Sequence, residues 1–273
     1  MAQPCVNGAR RRQRTQLVLV VPAGIYDHKG GMADSLVVNE IFLSVQGEST
    51  WAGSPCVFVR LTGCDLRCSY CDTAYAFHEG KRRSVGQVLS QVRQLAAPFR
   101  LRLTKLPLVE LTGGEPLLQA GALTLMSLLC DMGYTVLLET SGAHDIRSVD
   151  GRVHRIMDLK CPSSGEMSRN LWSNLDALRA TDEVKFVIAT REDYEWAGKV
   201  LEQHALARIC PVLYSWASPS SAIHGAGQLK PGPGPGECLT RQQLAEQMIR
   251  DAVPARFQAQ IHKLIWPVET RGV

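Results

Sequence analysis

Long hydrophobic runs are missing from this chain. Nowhere in its 273 residues do about 18 apolar positions follow one another, so no segment is a candidate membrane-spanning helix. The short run Leu17-Val18-Leu19-Val20-Val21 is too brief for a secretory core, and no small-residue cleavage pattern follows it, so export is not expected. A surplus of one charge is missing from most of the chain as well. Five of the 30 basic residues fall within positions 1–31 against one of the 26 acidic ones, leaving 25 of each sign beyond. That balance lacks the basic footprint of a nucleic-acid-binding domain, and neither nucleic acid nor membrane is expected as a partner. An even cysteine set is the third absence. Nine cysteines cannot all pair, and a chain of this size buries a core without covalent staples, so a disulfide scaffold is a poor reading and a reducing, cytoplasmic compartment is expected.

The basic segment 1–31 has no periodicity and ends in Gly30-Gly31 before Met32. It reads as a disordered or non-native N-terminal extension, with a targeting or docking role as the alternative. The expected working domain is 32–273, interrupted by a Pro/Gly-rich insertion around 215–237 that contains Pro-Gly-Pro-Gly-Pro-Gly at 231–236. Such a stretch supports neither strand nor helix, and a surface excursion or mobile flap is expected.

What the chain does have is Cys64, Cys68 and Cys71 in C-x-x-x-C-x-x-C spacing, within Gly63-Cys64-Asp65-Leu66-Arg67-Cys68-Ser69-Tyr70-Cys71-Asp72-Thr73. Iron–sulfur clusters are usually held by four thiolates, so a compact loop offering three leaves one iron of a 4Fe–4S cluster for an outside ligand. In radical chemistry that ligand is S-adenosyl-L-methionine, whose amino and carboxylate groups chelate the open iron. Structural zinc is the competing reading. It wants four protein ligands, commonly two close pairs; no second pair lies near, and His78 is the nearby imidazole in a different spacing. The remaining cysteines, Cys5, Cys56, Cys130, Cys161, Cys210 and Cys238, have no ligand spacing and read as packing thiols.

Beyond a first strand-like run, Leu36–Leu43, short β-branched runs alternate with helical patterns. Strands are expected at Cys56–Leu61, Leu108–Leu111, Thr135–Glu139, Arg155–Leu159, Glu183–Ile188 and Ile209–Tyr214, and helices at Val85–Leu95, Ala120–Met132, Leu171–Leu178 and Tyr194–Gln203. Alternation of this kind implies parallel strands with crossover helices. About six units rather than eight predict an α/β fold built as a partial TIM-like barrel, with its chemistry at the carboxyl ends of the strands. Three successive strand ends carry polar or glycine-rich sequence there: Gly113-Gly114-Glu115-Pro116, Glu139-Thr140-Ser141-Gly142 and Asp158-Leu159-Lys160. Plain turns would explain each alone; a common ligand explains all three.

The cysteine spacing followed by Gly-Gly-Glu-Pro resembles the radical S-adenosylmethionine superfamily. Val45-Gln46-Gly47-Glu48, Phe58-Val59-Arg60-Leu61-Thr62-Gly63-Cys64, Cys71-Asp72-Thr73, Lys160-Cys161-Pro162-Ser163-Ser164-Gly165 and Gln260-Ile261-His262-Lys263 together resemble the 7-carboxy-7-deazaguanine synthase family, from Val38 onward. The resemblance implies a radical SAM lyase. Its reaction would be conversion of 6-carboxy-5,6,7,8-tetrahydropterin to 7-carboxy-7-deazaguanine with loss of ammonia, on the route to queuosine. It also implies a radical SAM barrel, a 4Fe–4S cluster, S-adenosyl-L-methionine, Mg2+, a flavodoxin- or ferredoxin-type reductant and a homodimer.

Carried over by position, the resemblance makes Cys64, Cys68 and Cys71 the cluster ligands. It lays Tyr70, Cys71, Asp72, Gly114, Ser141, Asp158, Leu159 and Lys160 along S-adenosylmethionine, and puts Mg2+ at Thr73, where a hydroxyl plus substrate oxygens would satisfy an oxygen-seeking ion. Val45, Gln46, Gly47, Arg60, Thr112 and Pro267 fall on the pterin. Arg60 is expected to clamp a carboxylate through two parallel hydrogen bonds, with a surface salt bridge as the alternative. Glu115 is expected to accept from the S-adenosylmethionine amino group rather than act as a base. No side chain is assigned as a catalytic acid or base.

The chain departs from the family pattern at Asp158-Leu159-Lys160, where many relatives have Ser-Pro-Lys, and at Trp51 after Glu48-Ser49-Thr50. The insertion around 215–237 is a further departure. A glycyl-radical activating enzyme shares the cysteine spacing but would lack the Gln46-Gly47-Glu48 and Cys71-Asp72-Thr73 elements. A non-catalytic iron–sulfur or zinc scaffold is the alternative from another class.

Overall fold

The computed structural model describes residues 35–102, 107–218, 228–234, 236–267 and 270–273; the readings made for positions 1–31 lie outside them. Nine strands form one sheet in the order β3-β1-β2-β4-β5-β6-β7-β8-β9. β1 (Ser35–Val45) runs antiparallel to both β2 (Pro55–Leu61) and β3 (Lys81–Ser84). From β2 the strands β4 (Leu108–Gly113), β5 (Val136–Thr140), β6 (His154–Asp158), β7 (Glu183–Ile188), β8 (Val212–Trp216) and β9 (Arg256–Gln258) are all parallel and in chain order. This is a partial barrel. The six expected strands are present and a seventh parallel one, β9, extends them.

Strand alternation decides what each face carries. Val57, Val59 and Leu61 of β2 and Val109 and Leu111 of β4 point outward and pack with α1 (Val85–Arg102) and α2 (Ala120–Asp131). Val184, Phe186 and Ile188 of β7 and Val212 and Tyr214 of β8 pack in the same way with α3 (Arg191–Gln203) and α4 (Arg241–Arg250). The inner face is different. It starts apolar, with Cys56, Phe58, Leu108, Leu137 and Ile156 in one buried group, and turns polar toward the carboxyl ends, at Arg60, Glu110, Thr112, Glu139, Asp158 and Lys185. A dry floor therefore supports a charged chamber.

Thr190 with Asp193 and Thr240 with Gln243 start α3 and α4 through reciprocal capping boxes. The segment expected as a helix at Leu171–Leu178 is a 3-10 run at Trp172–Ala177 instead. Its Asn174 is buried, donating to the carbonyls of Gly142 (3.2 Å) and His144 (2.8 Å) and accepting from the Ile146 amide (3.2 Å). Tertiary bonds to the β5–β6 connection thus override the local period. Of the Pro/Gly-rich stretch, only parts are described. Ser215 and Trp216 finish β8, and residues 228–234 lie against the cysteine loop, with the Lys230 amide donating to the Arg67 carbonyl at 2.9 Å.

Candidate active site

A cavity of about 370 Å3 opens at the carboxyl ends of the strands, within the range of small-molecule sites. Cys64, Cys68 and Cys71 line one wall, carried by the loop that leaves β2. Gly114, at the end of β4, lets that loop approach: a β-carbon there would stand 2.0 Å from the Gly63 carbonyl oxygen and 2.9 Å from Cys64 Cβ. The Gly63 carbonyl accepts from the Glu115 amide at 2.8 Å, fixing strand end to loop. Burial pushes the thiols of Cys64 and Cys71 up to about 11 and raises that of Cys68, so ligation must displace protons.

Three observations fit these residues to a cluster with a bound cofactor. The donors are three soft thiols, and the Leu66 amide already donates to Cys64 Sγ at 3.4 Å, the kind of contact that tunes cluster sulfur. Among the described residues no three His, Cys, Asp or Glu side chains converge on a single ion, whereas a cluster takes one thiolate per iron. Finally, the Tyr70 hydroxyl and Asp158 Oδ1 are buried without a hydrogen bond beside the thiols. Asp158 Oδ1 stands 3.4 Å from the Lys185 ammonium and its other oxygen takes that of Lys160.

Behind this wall lies a buried charge network. Lys185 Nζ is 2.9 Å from Glu48, 3.2 Å from Glu139 and 3.4 Å from Asp158. Glu48 also accepts from Gln258 (3.1 Å) and Gln260 (2.6 Å); burial alone would raise its pKa, but Lys185, His262 and Gln260 outweigh burial and hold it at about 2. Glu110 goes the other way. Burial, reinforced by Glu139 and Glu48, pushes it well above the usual carboxylate range, and it accepts from the Gln46 amide. Glu139 is raised by burial with Glu48 and Asp158 despite Lys185, and accepts from Thr112 at 3.0 Å. The chamber therefore sets carboxyls pushed up by burial beside one held low.

Every residue expected on the pterin lines the cavity: Val45, Gln46, Gly47, Arg60, Thr112 and Pro267. Arg60 donates its Nε to Glu40 at 2.8 Å, and Tyr75 donates to the same oxygen at 3.0 Å. Arg60 is thus ion-paired with Glu40, and its guanidinium carbon lies 5.8 Å from both the Phe42 and the Tyr75 ring centroids. Asp72 is held at about 2; burial would raise it, but the Lys263 ammonium at 2.5 Å, with His262 and Arg60, prevails. Thr73 precedes the 3-10 turn Ala74–Phe77 without capping it, and its hydroxyl shares a hydrogen bond with Cys71 Sγ at 3.9 Å.

Two expectations need correcting. Leu159 does not face the cavity; with Asp158 and Lys160 turned inward, its side chain goes into the core with α3, and its amide is spent on the Lys185 carbonyl at 2.9 Å. Glu115 is fully buried and accepts from the amides of Leu117 (2.9 Å) and Ser141 (2.7 Å) and from the Thr140 hydroxyl, so it ties β4 to the end of β5 and has no reach to a ligand. Lys185, Glu110 and His262 were not singled out by sequence. Lys185 and Glu110 sit at inward positions of apolar strands, a polar break in a period of two that marks them; His262 lies in the Gln260–Lys263 motif, and burial lowers its pKa despite Glu48 and Asp72 nearby.

Comparison with known proteins places this geometry. The Radical SAM superfamily signature matches residues 58–162. The 7-carboxy-7-deazaguanine synthase of Chlorobaculum tepidum is 42% identical over 241 residues, covering 87% of this chain and 97% of that protein. The synthase of Koribacter versatilis is 42% identical over 239 residues, 86% and 99% of the two chains. In fold, the chain resembles QueE from Escherichia coli with a TM-score of 0.58 over 83% of this chain and 94% of that one, at 21% identity.

Proposed function

The chain belongs to the 7-carboxy-7-deazaguanine synthase family, and from that premise we propose that it converts 6-carboxy-5,6,7,8-tetrahydropterin to 7-carboxy-7-deazaguanine with loss of ammonia. It is a radical SAM lyase, and its cofactors are a 4Fe–4S cluster, S-adenosyl-L-methionine and Mg2+. When bound, cluster and S-adenosylmethionine supply one-electron chemistry and the hydrogen-abstracting radical.

The protein's part is to hold and orient. Cys64, Cys68 and Cys71 are the cluster ligands; Tyr70, Asp72, Gly114, Ser141, Asp158 and Lys160 lie along S-adenosylmethionine, where Tyr70 Oη and Asp158 Oδ1 have hydrogen bonds to give or accept. Arg60 clamps the substrate carboxylate, and Thr73 would offer its hydroxyl to Mg2+, an ion that would supply positive charge to the site. Val45, Gln46, Gly47 and Thr112 line the ring, and Pro267 stands at its far side. Glu110 holds a proton and fixes the Gln46 amide, while Glu48 stays ionised, so the pterin edge meets donors and acceptors together. A flavodoxin- or ferredoxin-type protein reduces the enzyme, which works as a homodimer in the cytoplasm. Residues 32–273 form the catalytic domain. Among the described residues no helix is long and apolar enough to cross a membrane.

The observation that carries this reading is one cavity into which three cysteine thiols and the oriented Arg60 guanidinium both open. Anaerobic reconstitution with iron and sulfide, followed by incubation with S-adenosylmethionine, Mg2+, reductant and the carboxy-pterin, should yield 7-carboxy-7-deazaguanine by mass spectrometry. Cleavage of S-adenosylmethionine without any deazapurine would reduce the assignment to the superfamily.

A further inference from the structure

Residues 228–234 belong to the Pro/Gly-rich segment, for which the proposed reaction has no use, yet they lie on the outer side of the cysteine loop. The Lys230 amide donates to the Arg67 carbonyl at 2.9 Å, and its ammonium reaches the Glu166 carboxylate at 3.1 Å and the Gly165 carbonyl. Glu166 is only 4% exposed, and its other oxygen accepts from the Arg67 amide at 2.7 Å. One buried carboxylate thus grips the cysteine loop and this segment at once. Gly165 has a left-handed backbone (φ 71°), and a β-carbon there would come within 2.6 Å of Lys230 Cδ, so the lysine stem rests on bare backbone. Further along, Gly232 covers Ser69, which is itself tied to the 162–164 turn through Ser164 (3.0 Å) and Ser163 (2.7 Å). Gln228 meets His78 at 3.3 Å.

A half-exposed lysine contributes little through an isolated surface ion pair. Here its partner is buried and already committed to the loop, and a backbone bond runs in parallel. The composition fits a covering role, because prolines lack the amide that would extend the sheet and the segment can lie over a loop without pairing with it.

We propose that residues 228–234 form a strap that positions the cysteine loop and keeps water and oxidants from its outer side, with Lys230 as its fastening. This rests on the assignment of Cys64, Cys68 and Cys71 as cluster ligands, since cluster potential and survival depend on hydrogen bonding and solvent exposure. The test compares K230A and K230R with the unmodified protein. In anaerobically reconstituted holoenzyme transferred to air-saturated buffer, the visible absorbance of K230A decays about tenfold faster, as expected for loss of a charged hydrogen bond that restrains local opening, and K230R decays at the unmodified rate. In cluster-free protein, amide hydrogen exchange over 64–71 speeds up in K230A while exchange over α2 does not change. K230A behaving as the unmodified protein in either measurement overturns the strap. If the unmodified protein takes up no iron and sulfide, the ligand assignment falls instead, and the exchange measurement alone decides whether the strap stands.

Discussion

Replacing Lys185 by methionine removes the one ammonium that Glu48, Glu139 and Asp158 share. The three carboxylates lie 2.9, 3.2 and 3.4 Å from Nζ, and the lysine side chain is 9% exposed. At an effective dielectric constant of about 20, a pair of unit charges some 3 Å apart interacts by about 5 kcal/mol. The three attractions do not add to the loss, because the carboxylates repel one another and take up protons once the cation is gone. Removing one partner of a buried ion pair costs about 3–5 kcal/mol, which for a domain of this size lowers the melting temperature by about 10 °C. The dependence on pH is the sharper test. Without Lys185 the folded-state pKa of Glu48 rises from about 2 and that of Glu139, already raised by burial, rises further, both above their unfolded values near 4. The stability of such groups is fully present below the unfolded pKa and lost as pH rises through the folded one. Circular dichroism melts of K185M should therefore show a large deficit at pH 8 that shrinks by pH 5, and adding E139Q should restore part of it at pH 8. A variant melting within about 2 °C of the unmodified protein at pH 8, or a deficit equal at both pH values, would refute the argument that this cation holds the chamber together.

Three further outcomes are expected. R60K keeps a positive charge but not the two-pronged geometry, so KM for the carboxy-pterin should rise about tenfold with cluster absorbance unchanged; an unchanged KM would leave Arg60 as a partner of Glu40 only. T73A should raise the Mg2+ concentration needed for half-maximal turnover several-fold without loss of iron, and an identical Mg2+ titration would remove Thr73 from the metal. Asp182 is buried; burial would raise its pKa, but hydrogen bonds from Arg155 (3.0 Å at Nε) and Arg179 outweigh it and hold it low. Its contribution is present above the unfolded pKa and vanishes as pH falls through the folded one, so D182N should cost about 3 kcal/mol at pH 7 and begin to converge with the unmodified protein only as pH falls below about 4 in urea titrations.

The strands were legible because their outward residues are β-branched or aliphatic in strict alternation, as at Val57-Val59-Leu61 and Val184-Phe186-Ile188. β9 was not, since three residues show no period. α4 could have been found from Thr240-Arg241-Gln242-Gln243, a capping box ahead of Leu244 and Met248, but it follows the Pro/Gly run that dominates that stretch of sequence. The cysteine loop announces itself by spacing. The Lys185 network does not, because its members come from separate parts of the chain: the register of β5, β6 and β7 brings Glu139, Asp158 and Lys185 together, and Glu48 joins them from the turn after β1. Nor does composition tell where a Pro/Gly segment lies; that depends on Glu166, a residue no motif singles out.

Gln260 reaches Glu48 across 212 positions, and the Ile261 amide closes on the Gly47 carbonyl beside it. Contacts this remote form late, after neighbouring strands and helices have docked. The thiol loop is framed by β2, β4 and the turn at 162–164, and Lys230 and Lys263 reach it from later in the chain. The wall of the pocket built from Val45–Glu48 is therefore completed only by residues that follow β9.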